Sequence, residues 1–361
     1  MERFAFLLHP LEVKDFTRKF KLAGHLPESW VESFFSRIPP FRVSHITGVR
    51  SATGVEAEGW FIGLPMTAGV LLRSPWETVL GRLLQAGRLA EKLGAGIFGL
   101  GAFTKVVGDR GVSVARGLSI PVTTGNSLTT WTAVRGSLEA ARQMGIEPSR
   151  AAVSIIGATG AIGRACALLL AGEVGELILV GRDREKLATV ADAVGGSARG
   201  EVRRSTDPRA AARESMVVIT VSSAPGVLVE AEDLQPGAVV CDVARPRNVS
   251  AAVGSLRDDC LVIDGGVIRV PGQVEFGFDF GFPPGTAEAC IAETMTLALE
   301  GRYESYTLGG EIAPERVEEI GRLSEKHGFS LDGFRRFERA IPAEKVLDIR
   351  NRAGARRAET T

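Results

Sequence analysis

Two stretches of the chain hold residue types that do chemistry. The first is Gly157-Ala158-Thr159-Gly160-Ala161-Ile162-Gly163, with glycines at every third position. Such a loop permits a tight turn and brings backbone N–H groups close to a phosphate, and a helix starting on it adds a positive end. The second is Cys290, within Glu288-Ala289-Cys290-Ile291-Ala292-Glu293. The preceding Pro283-Pro284-Gly285-Thr286 predicts a helix with Thr286 as N-cap, which puts Cys290 in the first turn, where the helix dipole lowers a thiol pKa. A thiolate there is a nucleophile for a thioester carbonyl. Free cysteine is usually buried core, and from the residues alone Ile291, Met295 and Leu297 favour that reading for Cys290. Cys166, Cys241 and Cys260 fall inside or at the edge of apolar runs and read as core.

The elements around the glycine loop decide its meaning. AAVSII precedes it, the apolar ACALLLA follows, and ELILV comes next, so the loop joins a strand to a helix inside a βαβ unit. Further β-branched runs at 216–225, 238–246 and 260–268 continue the pattern, which predicts a doubly wound Rossmann-type parallel sheet. We expect this dinucleotide-binding domain over 148–275, preceded by an α/β substrate domain over 1–147. Helices over 276–345 should pack back on the first domain, and 346–361 should be a frayed polar tail.

At the end of the second strand stand Gly181, Arg182 and Asp183, with Arg182 lying 19 positions after Gly163. An acidic residue near that spacing hydrogen-bonds an NAD ribose, whereas an arginine accommodates the NADP 2′-phosphate. Arg182 comes first, so NADPH is the expected cofactor. Asp183 either contacts the ribose or caps the following helix. The expected cofactor contacts are Gly157, Thr159, Gly160, Ala161, Ile162, Arg182, Asp183 and Ser222, the last in the Ser222-Ser223-Ala224-Pro225 loop at a strand end.

Composition narrows the rest. Lys+Arg and Asp+Glu number 43 each, so no bulk positive charge favours nucleic acid. The four cysteines show no CxxC pairing, which suits a reducing cytoplasm. His9, His25, His45 and His327 lack metal-ligand spacing, so no metal is expected. The first residues lack a signal-peptide core, and the longest uncharged run, Trp60 to Leu72, is too short for the ~20 residues that span a bilayer.

The blocks GLGAFTKVV, TTGNSLTTWTA, GATGAIGRACA, VIDGGVI, ACIAETMTLALEG and IGRLSEKHGF, in this order, resemble the long-chain acyl-[acyl-carrier-protein] reductases. The resemblance runs from about residue 45 to about 330. It implies that Cys290 takes an acyl group from an acyl-carrier-protein or coenzyme A thioester and that NADPH reduces the acyl-enzyme to a fatty aldehyde. Peripheral membrane contact is compatible with such a substrate, and the oligomeric state is not specified. Phe103 would line an apolar acyl slot, with Trp60, Phe61, Ile62, Leu64, Met66 and Phe98 as further candidates from the same domain. Thr124 and Asn126, in the TTGN stretch, would donate to the thioester oxygen or cap the next helix. Lys105 departs from the family pattern and receives no role there. It invites comparison with shikimate- or quinate-type dehydrogenases, which act without a covalent intermediate. A nucleotide-sensing protein without turnover is the third reading.

Overall fold

The β-branched runs and amphipathic helices assemble, in the computed structural model, into two units. Residues 1–18, 20–21, 25–224, 226–244, 246–331, 333–337 and 339–360 are described; Pro225 of the expected cofactor loop lies outside them. The strands in chain order are β1 (Glu2–Leu8), β2 (Phe41–Arg50), β3 (Glu56–Gly63), β4 (Ile97–Leu100), β5 (Val122–Thr123), β6 (Ala152–Ile156), β7 (Glu176–Val180) and β8 (Glu201–Ser205). They continue with β9 (Val217–Thr220), β10 (Val239–Asp242), β11 (Leu261–Asp264), β12 (Val267–Arg269), β13 (Gly272–Glu275), β14 (Thr286–Glu288), β15 (Phe334–Arg336) and β16 (Arg339–Ile341).

The first unit comprises Met1–Leu128, Ile268–Glu311 and Glu319–Ser330. Its sheet has the order β13-β2-β3-β1-β4-β5. β1 lies parallel to β3 and β4, β4 is parallel to β5, and β2 is antiparallel to β3 and β13. Alternation along β1 explains its two faces. Ala5 and Leu7 pack with Leu83, Ala86 and Ala90 of the amphipathic helix Trp76–Lys92. Phe4 and Phe6 point the other way, toward the wholly buried helix Ala289–Leu299. That helix comes so near the sheet that a Cβ on Gly99 would stand 2.2 Å from Thr294 Oγ1 and 2.4 Å from the Phe6 ring.

The second unit comprises Thr129–Val267, Ile312–Glu318 and Leu331–Thr361. Its all-parallel sheet has the order β11-β10-β9-β6-β7-β8, the doubly wound Rossmann arrangement with its reversal between β6 and β9. Central strands such as Val217–Thr220 are buried along their whole length, as expected for a parallel sheet covered on both faces.

These divisions differ from those expected. The return to the first unit begins at Ile268, because the run expected as one strand over 260–268 breaks at Gly265-Gly266, where Gly266 has φ +81°. The end of the chain is not a frayed tail: Ala343–Thr360 is helical. Val346, Ile349 and Ala353, spaced three and four apart among arginines, are buried in the core of the second unit. Arg352 and Arg356 each pair with Asp258 at 2.7 Å.

Candidate active site

In the first unit the site is built around the start of the helix Ala289–Leu299. Its N-cap is Glu288, not Thr286, whose hydroxyl donates to Pro283 O at 2.7 Å and which belongs to β14. Cys290 still falls in the first turn. Its Sγ is buried and donates to Glu288 Oε2 at 3.7 Å. Burial pushes the thiol up to about 12; Lys105 pulls it down, and Glu288 and Glu293 push it up. The expected lowering by the helix dipole is therefore overcome by desolvation, and the resting group is a thiol rather than a thiolate. Lys105 is half-buried on the turn Ala102–Lys105 that follows β4. His9 braces this turn: its Nε2 accepts from Phe103 N–H at 2.9 Å, and its Nδ1 lies 2.9 Å from Pro10 O. Burial lowers the His9 pKa to about 4, so the ring is neutral and donates from Nδ1.

The segment Thr123-Thr124-Gly125-Asn126 covers Cys290. Gly125 has φ +70°, and a Cβ there would stand 2.2 Å from Cys290 Cα and 2.3 Å from its Cβ. No other residue fits that approach. Glu293, one turn after Cys290 and fully buried, holds the segment in place. Its Oε1 accepts from Thr123 Oγ1 at 2.5 Å, and its Oε2 accepts from Leu128 N–H at 2.9 Å. Thr307 Oγ1 lies 2.9 Å from Glu293 Oε1 and 2.8 Å from Ser127 Oγ. Thr307 donates to Glu293 Oε1, so this carboxyl accepts from Thr123, Leu128 and Thr307. Desolvation raises the Glu293 pKa against the lowering by these hydrogen bonds.

Several expectations change here. The Thr124 hydroxyl donates to Thr307 O at 2.9 Å, so it is committed to holding two loops together rather than to a substrate oxygen or a helix cap. Asn126 begins the helix Asn126–Gln143 and is buried close to Gly125. Phe103 belongs to the core formed with Leu64, Met66, Leu71 and Leu100, as do Trp60, Ile62 and Phe98; Phe61 stacks on Phe276. Glu288, Glu293 and Thr307 escaped the sequence reading. The Glu288-x-Cys290 spacing was the available signal for the first, and pairing across more than 160 residues hid the other two.

In the second unit the glycine loop lies at the carboxyl edge of the sheet, where the strand order reverses. Gly157 has φ +99°, and a Cβ there would meet Ser222 N at 2.8 Å; its N–H donates to Val180 O at 2.9 Å. Gly163 lets the helix Ala161–Leu170 approach the turn, since a Cβ there would stand 2.2 Å from Gly157 O. The first helical bond runs from Arg164 N–H to Gly160 O, leaving the earlier N–H groups of Ala161 and Ile162 at the helix start, where a pyrophosphate binds. The Thr159 methyl group packs toward Gly181, next to the exposed Arg182. The expected contacts Gly157, Thr159, Gly160, Ala161, Ile162, Arg182 and Ser222 thus share one edge. Asp183 is different: its Oδ1 accepts from Glu185 and Lys186 N–H at 3.1 Å, so it caps the helix Arg184–Gly195. Ser222 Oγ accepts from Ala224 N–H at 3.0 Å. Asn248 Nδ2 reaches Ala224 O and Gly226 O, both at 3.1 Å, and so shapes the loop after β9. The cradle fits a dinucleotide, because its glycines stand where side chains would block both the turn and the phosphate.

Known proteins bear on both units. Residues 139–264 match the shikimate / quinate 5-dehydrogenase family, within the second unit. The long-chain acyl-[acyl-carrier-protein] reductase of Synechococcus elongatus is 32% identical over 311 residues, spanning 82% of this chain and 89% of the relative. The chain belongs to this reductase family. Aminotransferase PigE of Serratia sp. is 30% identical over 96% of this chain, which spans only 42% of PigE's length. Among solved structures, glutamyl-tRNA reductase from Methanopyrus kandleri has 18% identity and a TM-score of 0.31, with 81% of this chain and 59% of that one covered. The 5-ketofructose reductase of Gluconobacter sp. has 14% identity and a TM-score of 0.38, with 90% and 97% covered. Likeness of that size adds nothing to the family assignment. Among the described residues no His/Cys/Asp/Glu cluster suits a metal, and no helix is long and apolar enough to cross a membrane.

Proposed function

We propose that this protein is an oxidoreductase that converts a long-chain acyl thioester, presented by acyl carrier protein or coenzyme A, into a fatty aldehyde through an acyl-Cys290 intermediate. The observation that carries the reading is Cys290 in a helical first turn, backed by Gly125 and flanked by Glu288 and Lys105, in a chain of this reductase family. Covalent capture divides a difficult reduction into transfer and hydride steps. Burial of Cys290 limits the access of water to the thioester, which favours hydride transfer over hydrolysis of the acyl group. Gly157, Gly160, Ala161 and Ile162 bind the dinucleotide pyrophosphate, and Arg182 favours the 2′-phosphate and hence NADPH. When bound, NADPH supplies the hydride.

The test is intact-protein mass spectrometry after mixing the protein with long-chain acyl-coenzyme A and, separately, acyl-carrier protein, without NADPH. A mass increase of one acyl group that is lost in Cys290→Ala supports the reading. Absence of an adduct with either donor refutes it.

A second reading, a dehydrogenase of shikimate or quinate type, draws on the match over 139–264 and on Lys105 in the first unit. Turnover of a soluble keto acid that disappears in Lys105→Ala and survives in Cys290→Ala would favour it.

A further inference from the structure

We infer that Glu288 is the proton acceptor for Cys290 during acyl transfer, an assignment that rests on the thioester reading above. Four observations lead to it. The thiol donates to Glu288 Oε2 at 3.7 Å, within reach for a sulfur donor. Cys290 is buried, with little direct contact with water, whereas Glu288 is half-buried at the helix start. The other carboxylate facing the sulfur, Glu293, is held by Thr123, Leu128 and Thr307 and lies within a closed network. The remaining charged neighbour, Lys105, is a cation and cannot accept a proton while charged.

The step balances as follows. The Sγ–H bond breaks and its proton moves to the Glu288 carboxylate as the sulfur forms a bond to the thioester carbonyl carbon. The tetrahedral adduct then expels the donor's sulfur, the bond between carbonyl carbon and donor sulfur breaks, and the departing thiolate takes the proton from Glu288. Nothing is oxidised or reduced, and the carboxylate is restored. Lys105 favours the negative charge that develops on sulfur. General-base assistance of this kind contributes typically 10²–10⁴-fold.

The experiment follows acyl-Cys290 formation over time by mass spectrometry in the full chain, using long-chain acyl-coenzyme A without NADPH over about pH 6–9.5. In Glu288→Gln the acylation rate at neutral pH should fall roughly 10²-fold or more, and then rise about tenfold per pH unit as hydroxide replaces the lost base. The wild-type rate should level off. A merely electrostatic neighbour makes the opposite prediction: removing a negative charge beside the sulfur eases its ionisation, so Glu288→Gln would acylate as fast or faster. That result overturns the assignment. If Glu288→Gln does not fold, Glu288→Asp decides, because its carboxylate is withdrawn by one methylene. A slower rate with the wild-type profile supports the inference, and an undiminished rate overturns it. Wild-type protein that forms no Cys290 adduct removes the thioester reading and this step with it, whereas adduct formation that is indifferent to residue 288 removes only this step.

Discussion

Replacing Gly125 by alanine tests whether the backbone of the Thr123–Asn126 segment truly rests on Cys290. Two costs follow from the structure. With φ +70°, an L-residue at this position pays roughly 1–2 kcal/mol for the left-handed conformation. The new methyl group would also lie 2.2 Å from Cys290 Cα and 2.7 Å from Cys290 O, backbone atoms that cannot swing aside, and such overpacking costs roughly 1–3 kcal/mol more. The expected loss is therefore about 2–5 kcal/mol. For a unit of this size each kcal/mol shifts the midpoint by roughly 2–4 °C, so thermal unfolding should shift down by about 4–20 °C. Gly54→Ala is the internal control: φ is +88° there, but nothing lies within 4 Å of the new methyl group, so only the conformational cost applies. If the chain relieves the clash by moving Cys290 about 1 Å, acyl transfer should fall on the order of 10²-fold even where the protein remains folded. A Gly125→Ala protein matching Gly54→Ala in both melting point and acyl-transfer rate would refute the packing argument.

Two further outcomes follow. The Glu293 carboxyl is raised above its ordinary value near 4.5 by burial, so its contribution to stability is complete below that value and is lost as pH rises through the raised one. Glu293→Gln cannot titrate and should gain on wild type as pH rises above about 5 in urea unfolding; a difference independent of pH would contradict this. Arg182→Ala should reduce the preference for NADPH over NADH by roughly tenfold or more, read as the ratio of kcat/KM values, because a charged hydrogen bond to the 2′-phosphate is lost. An unchanged ratio would mean that the 2′-phosphate binds elsewhere.

Much of the second unit was legible because its signals are local. The strand, glycine turn, helix and second strand around Gly157 are contiguous, and the backbone demands at Gly157 and Gly163 arise within that turn and from its immediate neighbours. Arg182 and Asp183 were placed at the correct strand end for the same reason. Asp183 resolved into a cap because two N–H groups directly ahead of it needed an acceptor. The first unit was harder to read. β1, Glu2–Leu8, was missed because only its far end carries a turn signal, Pro10, and its pairing with β3 and β4 spans tens of residues.

The sequence alone determined the doubly wound second unit, its glycine loop and the position of Cys290 in a first turn. These depend on periodicity and on turn residues within a few positions of one another; the N-cap of the Cys290 helix, Glu288 rather than Thr286, came only from the structure. Only the tertiary structure decided the state of that cysteine, because the pKa of a buried thiol depends on what surrounds it: desolvation from all sides, Lys105 from a distant turn, and Glu288 and Glu293 beside it. The same holds for Thr124, whose hydroxyl looked available until Thr307, 183 residues away, was brought beside it. Charge and hydrogen bonding act through space, and the partners they join here lie far apart along the chain.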